Sequence, residues 1–412
     1  MKLSRWSPIP RFALPYTLID WAAGLAAISG ETRMPKAFDL LCCSPKFWTR
    51  SGRQSLRLLL TALNLKPGSG VAIPLFTDPS LVSAIVAAGH RPIFIDVEPE
   101  FMTIDPDSLE HARGRFSAVV AVHLFGQMAD MPNLMAVASG LPIIEDTAHA
   151  PLSYLNERMA GSFGSACFYS FASTKYWPAG GGGLAVVHDP ALAKRIAKLI
   201  PALSAPSTFE ELTNLMLQGA KAAVFGRRLY GFLGKPMRRW AEKLAILEPS
   251  LDLRAIPRSY AAVACRQAKR FPERVGMQRA NSLHLLERLI GTEDVVLPRE
   301  RPSARYNYHL FPILLRSAAE REAVMTAMWK QFVDTSKIYS EVVAQCRNFG
   351  YRGGCPVAEG VAQRLITIPN HASLTRRDIE VVADAFVSSL RACRGLQSTQ
   401  AEPRELLDLI GT

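Results

Sequence analysis

The sequence predicts an α/β protein, a large domain built on a mainly parallel sheet flanked by helices and followed by a small α+β C-terminal domain. Three observations carry this expectation. Between residues 51 and 190, short apolar runs alternate with segments of helical spacing. Those runs (VAIPLF, RPIFIDV, FSAVVAVHLFG, LPIIED, SACFYSF, GGLAVVHD) are almost continuously apolar, as strands covered on both faces are. From Asn307 the pattern changes to YHLFPILL, AEREAVMTAMWKQF, RLITIPN and TRRDIEVVADAFVSSLRAC, which read strand, helix, strand, helix.

Each element follows from local chemistry. Residues 1–45 read as an N-terminal arm and a helix. The opening MKLSRWSPIPRFALPYTLIDWAAGLAAISG faintly imitates a signal peptide, but two early prolines, Asp20 and Trp21 interrupt it. No apolar run there approaches the ~18 residues of a membrane span. The large domain is expected over 46–250. SGRQSLRLLLTALNL opens it as a helix with leucines at helical spacing, broken by LKPGSG. PSLVSAIVAAG is helical and stops at a glycine, and DSLEHARG is a short helix with its serine near the N-terminal cap. MPNLMAVASG is the next helix. Residues 191–250 are helix-rich and basic, residues 258–292 read as one long helical region, and the small domain closes over 251–396. Residues 397–412 (QSTQAEPRE and beyond) have the composition of a loose terminus.

Composition narrows the function. With 48 Lys and Arg against 36 Asp and Glu, the formal charge of the 412-residue chain is +12. Such a surface favours anionic partners. Zinc-finger spacing, RNP-like aromatic motifs and basic tails are absent from the sequence, which turns the expectation from nucleic acid to phosphorylated small molecules. The seven cysteines (Cys42, Cys43, Cys167, Cys265, Cys346, Cys355, Cys393) form no CxxC pair. That pattern suits reduced thiols in the cytoplasm and gives neither a disulfide framework nor a metal site.

The stretch SFASTKYWPAGGGG sets Lys175 beside four glycines. A P-loop requires the lysine after its glycines, and here it precedes them. In open α/β sheets, ligands gather at the carboxyl ends of strands. LPIIED ends at Asp146, SACFYSF carries Ser170 near its end, and Ser51-Gly52-Arg53 opens the first helix of the domain. Together these suggest pyridoxal phosphate. Lys175 would bond to its aldehyde, Asp146 would pair with the pyridinium nitrogen, and Ser170, Gly52 and Arg53 would hold the phosphate.

The ordered segments FIDVEPEFMTIDPDSLE, VHLFGQMADM, IIEDTAHA, GSFGSACFYSFASTK and GGGGLAVV resemble the DegT/DnrJ/EryC1/StrS sugar aminotransferases, with LITIPNHASLT similar to a C-terminal family segment. The resemblance implies a fold-type I pyridoxal 5′-phosphate enzyme. It implies that Lys175 also shuttles the proton of the transamination, and that His149 lies near the cofactor's phenolic oxygen. Arg53 stands where threonine is common, and it suits a phosphate as a bidentate donor.

Several positions depart from the family pattern. Asp78 replaces an aromatic residue expected over the cofactor ring, which leaves Phe76 as the candidate. Ile256 replaces an asparagine that reaches the phosphate across a dimer interface, while Arg258 of the same segment survives. Gly181 replaces an acidic loop residue. His123, Arg258 and His371 are the candidate substrate contacts, with structural roles equally open for the two histidines.

The resemblance further implies a homodimer that takes an amino group from an amino acid, glutamate being the usual donor, and passes it to a keto group on a nucleotide-linked sugar. Elimination at a sugar carbon is an alternative, as is a catalytically silent regulator or scaffold. Residues 219–243 mix Lys221, Arg227, Arg228, Lys235, Arg238, Arg239 and Lys243 with Phe225, Tyr230, Phe232 and Trp240. A peripheral membrane contact, a diphosphate-binding lid and a solvated insertion with an apolar packing face all suit that mixture, and the last is the leading expectation.

Overall fold

The computed structural model describes residues 6–30, 41, 44–244 and 252–395, so the tail over 397–412 lies outside the described residues. The N-terminal arm is tied down where Ile9 bridges Val333. Helix α1 (Leu18–Ser29) opens on a capping box, in which Thr17 and Asp20 each accept the other's backbone N–H. The large sheet is then laid down by β1 (Lys46–Thr49), α2 (Gly52–Leu63), β2 (Gly70–Pro74), α3 (Pro79–Ala87), β3 (Arg91–Ile95), α4 (Pro106–His111), β4 (Ala118–Val122), α5 (Met131–Ala138) and β5 (Ile143–Asp146). A hairpin of β6 (Tyr154–Leu155) and β7 (Arg158–Met159) leads to β8 (Ala166–Ser170), β9 (Gly183–Val187) and α6 (Pro190–Leu199).

The seven strands stand in the order β1-β9-β8-β5-β4-β2-β3. Only β9 runs against its neighbours, pairing antiparallel with both β8 and β1. The expected mainly parallel sheet is therefore present, and its apolar runs have the expected cause. In β4, Val119 and Ala121 face one apolar core while Ala118, Val120 and Val122 face another. The carboxyl ends of β1, β2, β4, β5 and β8 all open onto one edge, and the loop from β8 to β9 leaves from that edge carrying Lys175.

The remaining chain is α7 (Thr208–Val224), α8 (Arg227–Leu229), a π-helical turn over Tyr230–Gly234, α9 (Lys235–Leu244), α10 (Arg258–Ala268), α11 (Phe271–Leu289), β10 (Ala304–Arg305), β11 (Phe311–Leu314), α12 (Ala318–Lys330), α13 (Val342–Arg347), α14 (Pro356–Arg364), β12 (Leu365–Ile368) and α15 (Arg376–Arg394). Strands β11 and β12 pair antiparallel, and α15 packs against α11 and α12.

Three expectations need correction. The long helix over 258–292 is two helices, because Pro272 in the first turn of α11 cannot donate to the preceding turn. The cap of α4 is Asp105, whose carboxylate accepts the amides of Asp107 and Ser108. Helices α13 and α14 and the β6–β7 hairpin were not foreseen. Helix α14 lacks a side-chain cap of its own, since its N-cap is Cys355. Asp96, just past β3, supplies one by accepting the amides of Val357 and Ala358 at 3.0 and 2.8 Å.

Candidate active site

Two acidic residues end β5, and strand alternation sends them to opposite faces. Glu145 is fully buried and accepts from His123 Nε2 and from the amides of Gly161, Phe163 and Gly164. Burial works to raise its pKa, but the bond from His123 and those amides hold it below the ordinary carboxylate value. Asp146 turns to the other side. Its Oδ1 accepts the amide of Ala148 at 2.9 Å, and Oδ2 makes no hydrogen bond among the described residues. Burial raises Asp146 to about 6, against the opposing charges of Lys175 and His123 and the Ala148 amide.

Lys175 follows β8 in a turn in which its amide bonds to Ala172. Its Nζ lies 2.7 Å from His149 Nε2. Burial depresses the lysine's pKa, Arg53 adds to that, and the carboxylates of Asp78 and Asp146 oppose it. His149 is held well below its usual value by burial and then by the charges of Lys175 and His309. His309 is pushed to about 3 by burial and by Lys175, and its ring lies 4.5 Å from that of His149. An amine and two imidazoles, all biased toward their neutral forms, therefore converge within reach of the carboxylates of Asp146 and Asp78.

The anion-binding end is built by close approach. Ser51 caps α2 by accepting the Gln54 amide, which leaves the Gly52 and Arg53 amides at the helix N-terminus. Ser170 ends β8 beside it, and a Cβ on Gly52 would fall 2.9 Å from Ser170 Cβ. The four-glycine run has a different job. Gly180 and Gly182 have φ of +90° and +105°. A Cβ on Gly180 would strike Gln218, one on Gly181 would strike Tyr260, and one on Gly182 would strike Ile256. These glycines let α7 and the start of α10 close on the loop that carries Lys175.

Lys175, Asp146, His149, Arg53, Gly52 and Ser170 thus share one site in a single chain. The other candidates are placed elsewhere. His123 is fully buried with both ring nitrogens engaged, by Glu145 and by the Ala129 amide. Arg258 pairs with the buried carboxylate of Glu211 on α7. His371 bonds to the Pro10 carbonyl and to Ser373, and burial lowers it to about 4. Phe76 is fully buried, between Phe125 and Tyr339 at 6.2 and 5.8 Å, and so belongs to the core beneath the site. Sequence reasoning missed His309 and Tyr339. The second feels the charges of both Asp78 and Asp146, which together with burial raise its hydroxyl pKa. Neither carries a motif beyond the short runs YHLF and KIYS.

The residues fit pyridoxal 5′-phosphate. A depressed lysine amine, a carboxylate with one free oxygen and a helix N-terminus joined by a serine and an arginine are the donors and acceptors its aldehyde, ring nitrogen and phosphate require. The sheet, with this lysine after β8 and this aspartate ending β5, defines the chain as a fold-type I pyridoxal 5′-phosphate-dependent enzyme. The sequence profile of the DegT/DnrJ/EryC1/StrS aminotransferase family matches residues 47–387, and the chain belongs to that family. It is 30% identical, over 82% of its length and 83% of the relative's, to a UDP-N-acetyl-3-dehydro-α-D-glucosamine 3-aminotransferase of Acidithiobacillus ferrooxidans. It is 27% identical to a pleiotropic regulatory protein of Geobacillus stearothermophilus over 83% of this chain and 84% of that one. Among solved structures, an aminotransferase from Streptoalloteichus hindustanus shares the fold with a TM-score of 0.74 at 23% identity, covering 94% of this chain and 99% of its own. The enzyme is an aminotransferase of the sugar type.

Proposed function

We propose that the enzyme takes an amino group from an amino acid, glutamate, and transfers it to a keto group on a nucleotide-linked sugar in the cytoplasm, for amino-sugar or surface-polysaccharide synthesis. The observation that carries this is the neutral-biased Lys175 amine, held 2.7 Å from His149 and flanked by Asp146. The substrate class rests on the relative that acts on a UDP-linked keto sugar. The charge of +12 suits a diphosphate.

When bound, the cofactor would supply an electron sink for the donor carbon that loses its proton. The chain supplies the rest. Asp146, whose Oδ2 is left without a hydrogen bond among the described residues, would hold the ring nitrogen in its protonated form. Arg53, Ser170 and the α2 amides would anchor the phosphate, so that binding energy remote from the reacting carbon would orient it. Lys175 Nζ takes the proton from the donor's Cα, and its low pKa leaves it free to do so near neutral pH. The same nitrogen returns a proton to the carbon that receives the amino group, with His149 fixing its position.

A homodimer completes this reading. The α1 helix presents Leu18 and Ile19 to solvent in the single chain, which suits burial against a second copy. Residues 46–250 and 251–396 act as the large and small domains.

The test is the near-visible absorption of the purified protein before and after glutamate, followed by borohydride reduction and peptide mapping. The expected result is a cofactor band that glutamate shifts and a keto sugar restores, with the reduced label on Lys175. A protein that takes up the cofactor but turns over no amino donor overturns the transamination and favours a catalytically silent regulator or scaffold, and donor turnover whose nitrogen never reaches the sugar favours elimination.

A further inference from the structure

The basic insertion is built inside out. From Arg227 to Leu244 the chain runs through α8, the π-helical turn and α9 as one rod. Leu229, Leu233, Met237 and Trp240 recur at intervals of four, four and three residues and form one stripe. All four face solvent, exposed by 40%, 47%, 49% and 67%. The opposite stripe carries the polar groups, and it is buried. Lys235 Nζ is 2.9 Å from Asp334 and 3.1 Å over the Trp329 ring. Arg238 reaches the same carboxylate at 3.2 Å, and the Tyr230 hydroxyl donates to it at 2.5 Å. These groups hold Asp334 ionised although it is almost wholly buried. The leading expectation of a solvated insertion with an apolar packing face therefore holds only in part: Tyr230 is buried beside Phe225 and Leu215 is buried, but in the rod Lys235 and Arg238 pack inward while Leu229, Leu233, Met237 and Trp240 look out. Trp6, 69% exposed, extends the apolar side through its ring contact with Phe232 at 4.2 Å.

A water-facing helix normally shows the reverse pattern, and a stripe this apolar marks a contact surface. Its charge identifies the occupant. Residues 212–241 contain six Lys and Arg (Lys221, Arg227, Arg228, Lys235, Arg238, Arg239) and no Asp or Glu; Lys235 and Arg238 pair with Asp334 and Arg227 with Asp378 at 2.9 Å. Lys221 and Arg228 remain exposed. A second copy that met this segment with the same segment, across a two-fold axis, would oppose the exposed Lys221 and Arg228 to like charges. An anionic lipid surface instead complements it, taking leucine, methionine and tryptophan at the acyl boundary and the cations at the headgroups. Because the Asp334 cluster holds the rod rigid, docking needs little ordering of the chain.

We propose that the 227–240 rod, with Trp6, docks this enzyme onto an anionic membrane surface as a peripheral contact. No helix among the described residues is long and apolar enough to cross a membrane, so the contact is with the surface.

The experiment is co-sedimentation of the holoenzyme with phosphatidylglycerol/phosphatidylethanolamine vesicles and with phosphatidylcholine vesicles. The wild type should pellet with the first and stay in solution with the second, and high salt should release it. Leu233→Ser/Trp240→Ser should weaken binding about tenfold or more, and Arg228→Gln about fivefold. The cofactor band and thermal midpoint should not change in either variant. The proposal is overturned if the wild type ignores anionic vesicles or if the double variant binds them as well as wild type. It is also overturned if light scattering shows that the double substitution splits an oligomer while vesicle binding persists, since the stripe would then be covered by another copy.

Discussion

Lys175 Nζ and His149 Nε2 stand 2.7 Å apart, and the far nitrogen of that imidazole, Nδ1, accepts the amide of Phe125 at 3.4 Å. An acceptor Nδ1 in a neutral ring assigns the proton to Nε2, which then donates to the lone pair of an uncharged lysine amine. Burial depresses both groups, in agreement with that arrangement. Without the cofactor, Lys175 should titrate below its usual 10.5. The sign of each neighbour's effect is fixed. Asp78→Asn removes a stabilising carboxylate and should lower the value further, while Arg53→Gln removes a competing cation and should raise it. The pH dependence of Lys175 acylation, followed by peptide mapping, reads both shifts. Movement of both variants in the same direction would contradict this electrostatic account.

Lys175→Ala should retain the fold and the non-covalent cofactor site yet lose the borohydride-trapped label. If Lys175 moves the Cα proton as proposed, its removal should cut the half-reaction with glutamate by at least about a hundredfold. Added alkylamine should restore part of that loss, because it replaces the base and leaves Asp146 and the phosphate cradle intact. Stopped-flow absorbance measures it, and a rate near wild type would remove Lys175 from the mechanism.

Asp146 couples the site to stability. Its folded pKa is raised from 3.8 to about 6. Its stabilising contribution is therefore complete below 3.8 and is lost as pH rises through about 6, where an unpaired buried carboxylate must ionise. Asp146→Asn keeps the acceptor for Ala148 and removes that ionisation. In the cofactor-free enzyme it should raise stability at pH 7 to 8 by up to about 3 kcal/mol, with the advantage gone below about pH 4. The same change should weaken cofactor binding, since a neutral amide does not hold the pyridinium proton. Thermal melts across pH separate the two effects, and a destabilised apo variant at pH 8 would refute the assignment of cause.

The large sheet was legible because buried strands leave continuous apolar runs, and LPIIED and SACFYSF end at Asp146 and near Ser170 in the structure as in the reading. The Asp146–Lys175 span was legible because its spacing is confined to one strand end and the next loop. His309 was not, since only the packing of the 306–309 loop over Gly126 brings it to His149. A Cβ on Gly126 would lie 2.1 Å from the Asn307 carboxamide. The roles expected of His123 and His371 illustrate the converse: a histidine at a strand end or in a loop looks the same in sequence whether it faces a ligand or a buried partner such as Glu145. Charge was misleading at Lys235 and Arg238, because no local pattern announces that Asp334, some hundred residues away, will draw them inward.

Asp96 makes a long-range cap, and its removal should expose how far α14 depends on the sheet. Its two oxygens accept three amides, from Val97, Val357 and Ala358. The first lies in its own segment, and the other two open a helix more than two hundred and fifty residues later. Since Cys355 offers no side-chain cap, Asp96→Ala leaves these amides without their acceptor in a region where Asp96 itself is 8% exposed. A lost cap together with buried unpaired donors should cost about 2–4 kcal/mol. Asp96→Asn keeps one acceptor oxygen and should fall between the two. Urea unfolding gives the magnitude, and hydrogen exchange over 356–364 gives the location, which should lose protection before the central strands do. A loss under about 0.5 kcal/mol, within the range of an ordinary surface substitution, would mean that water or a shifted backbone caps α14 equally well.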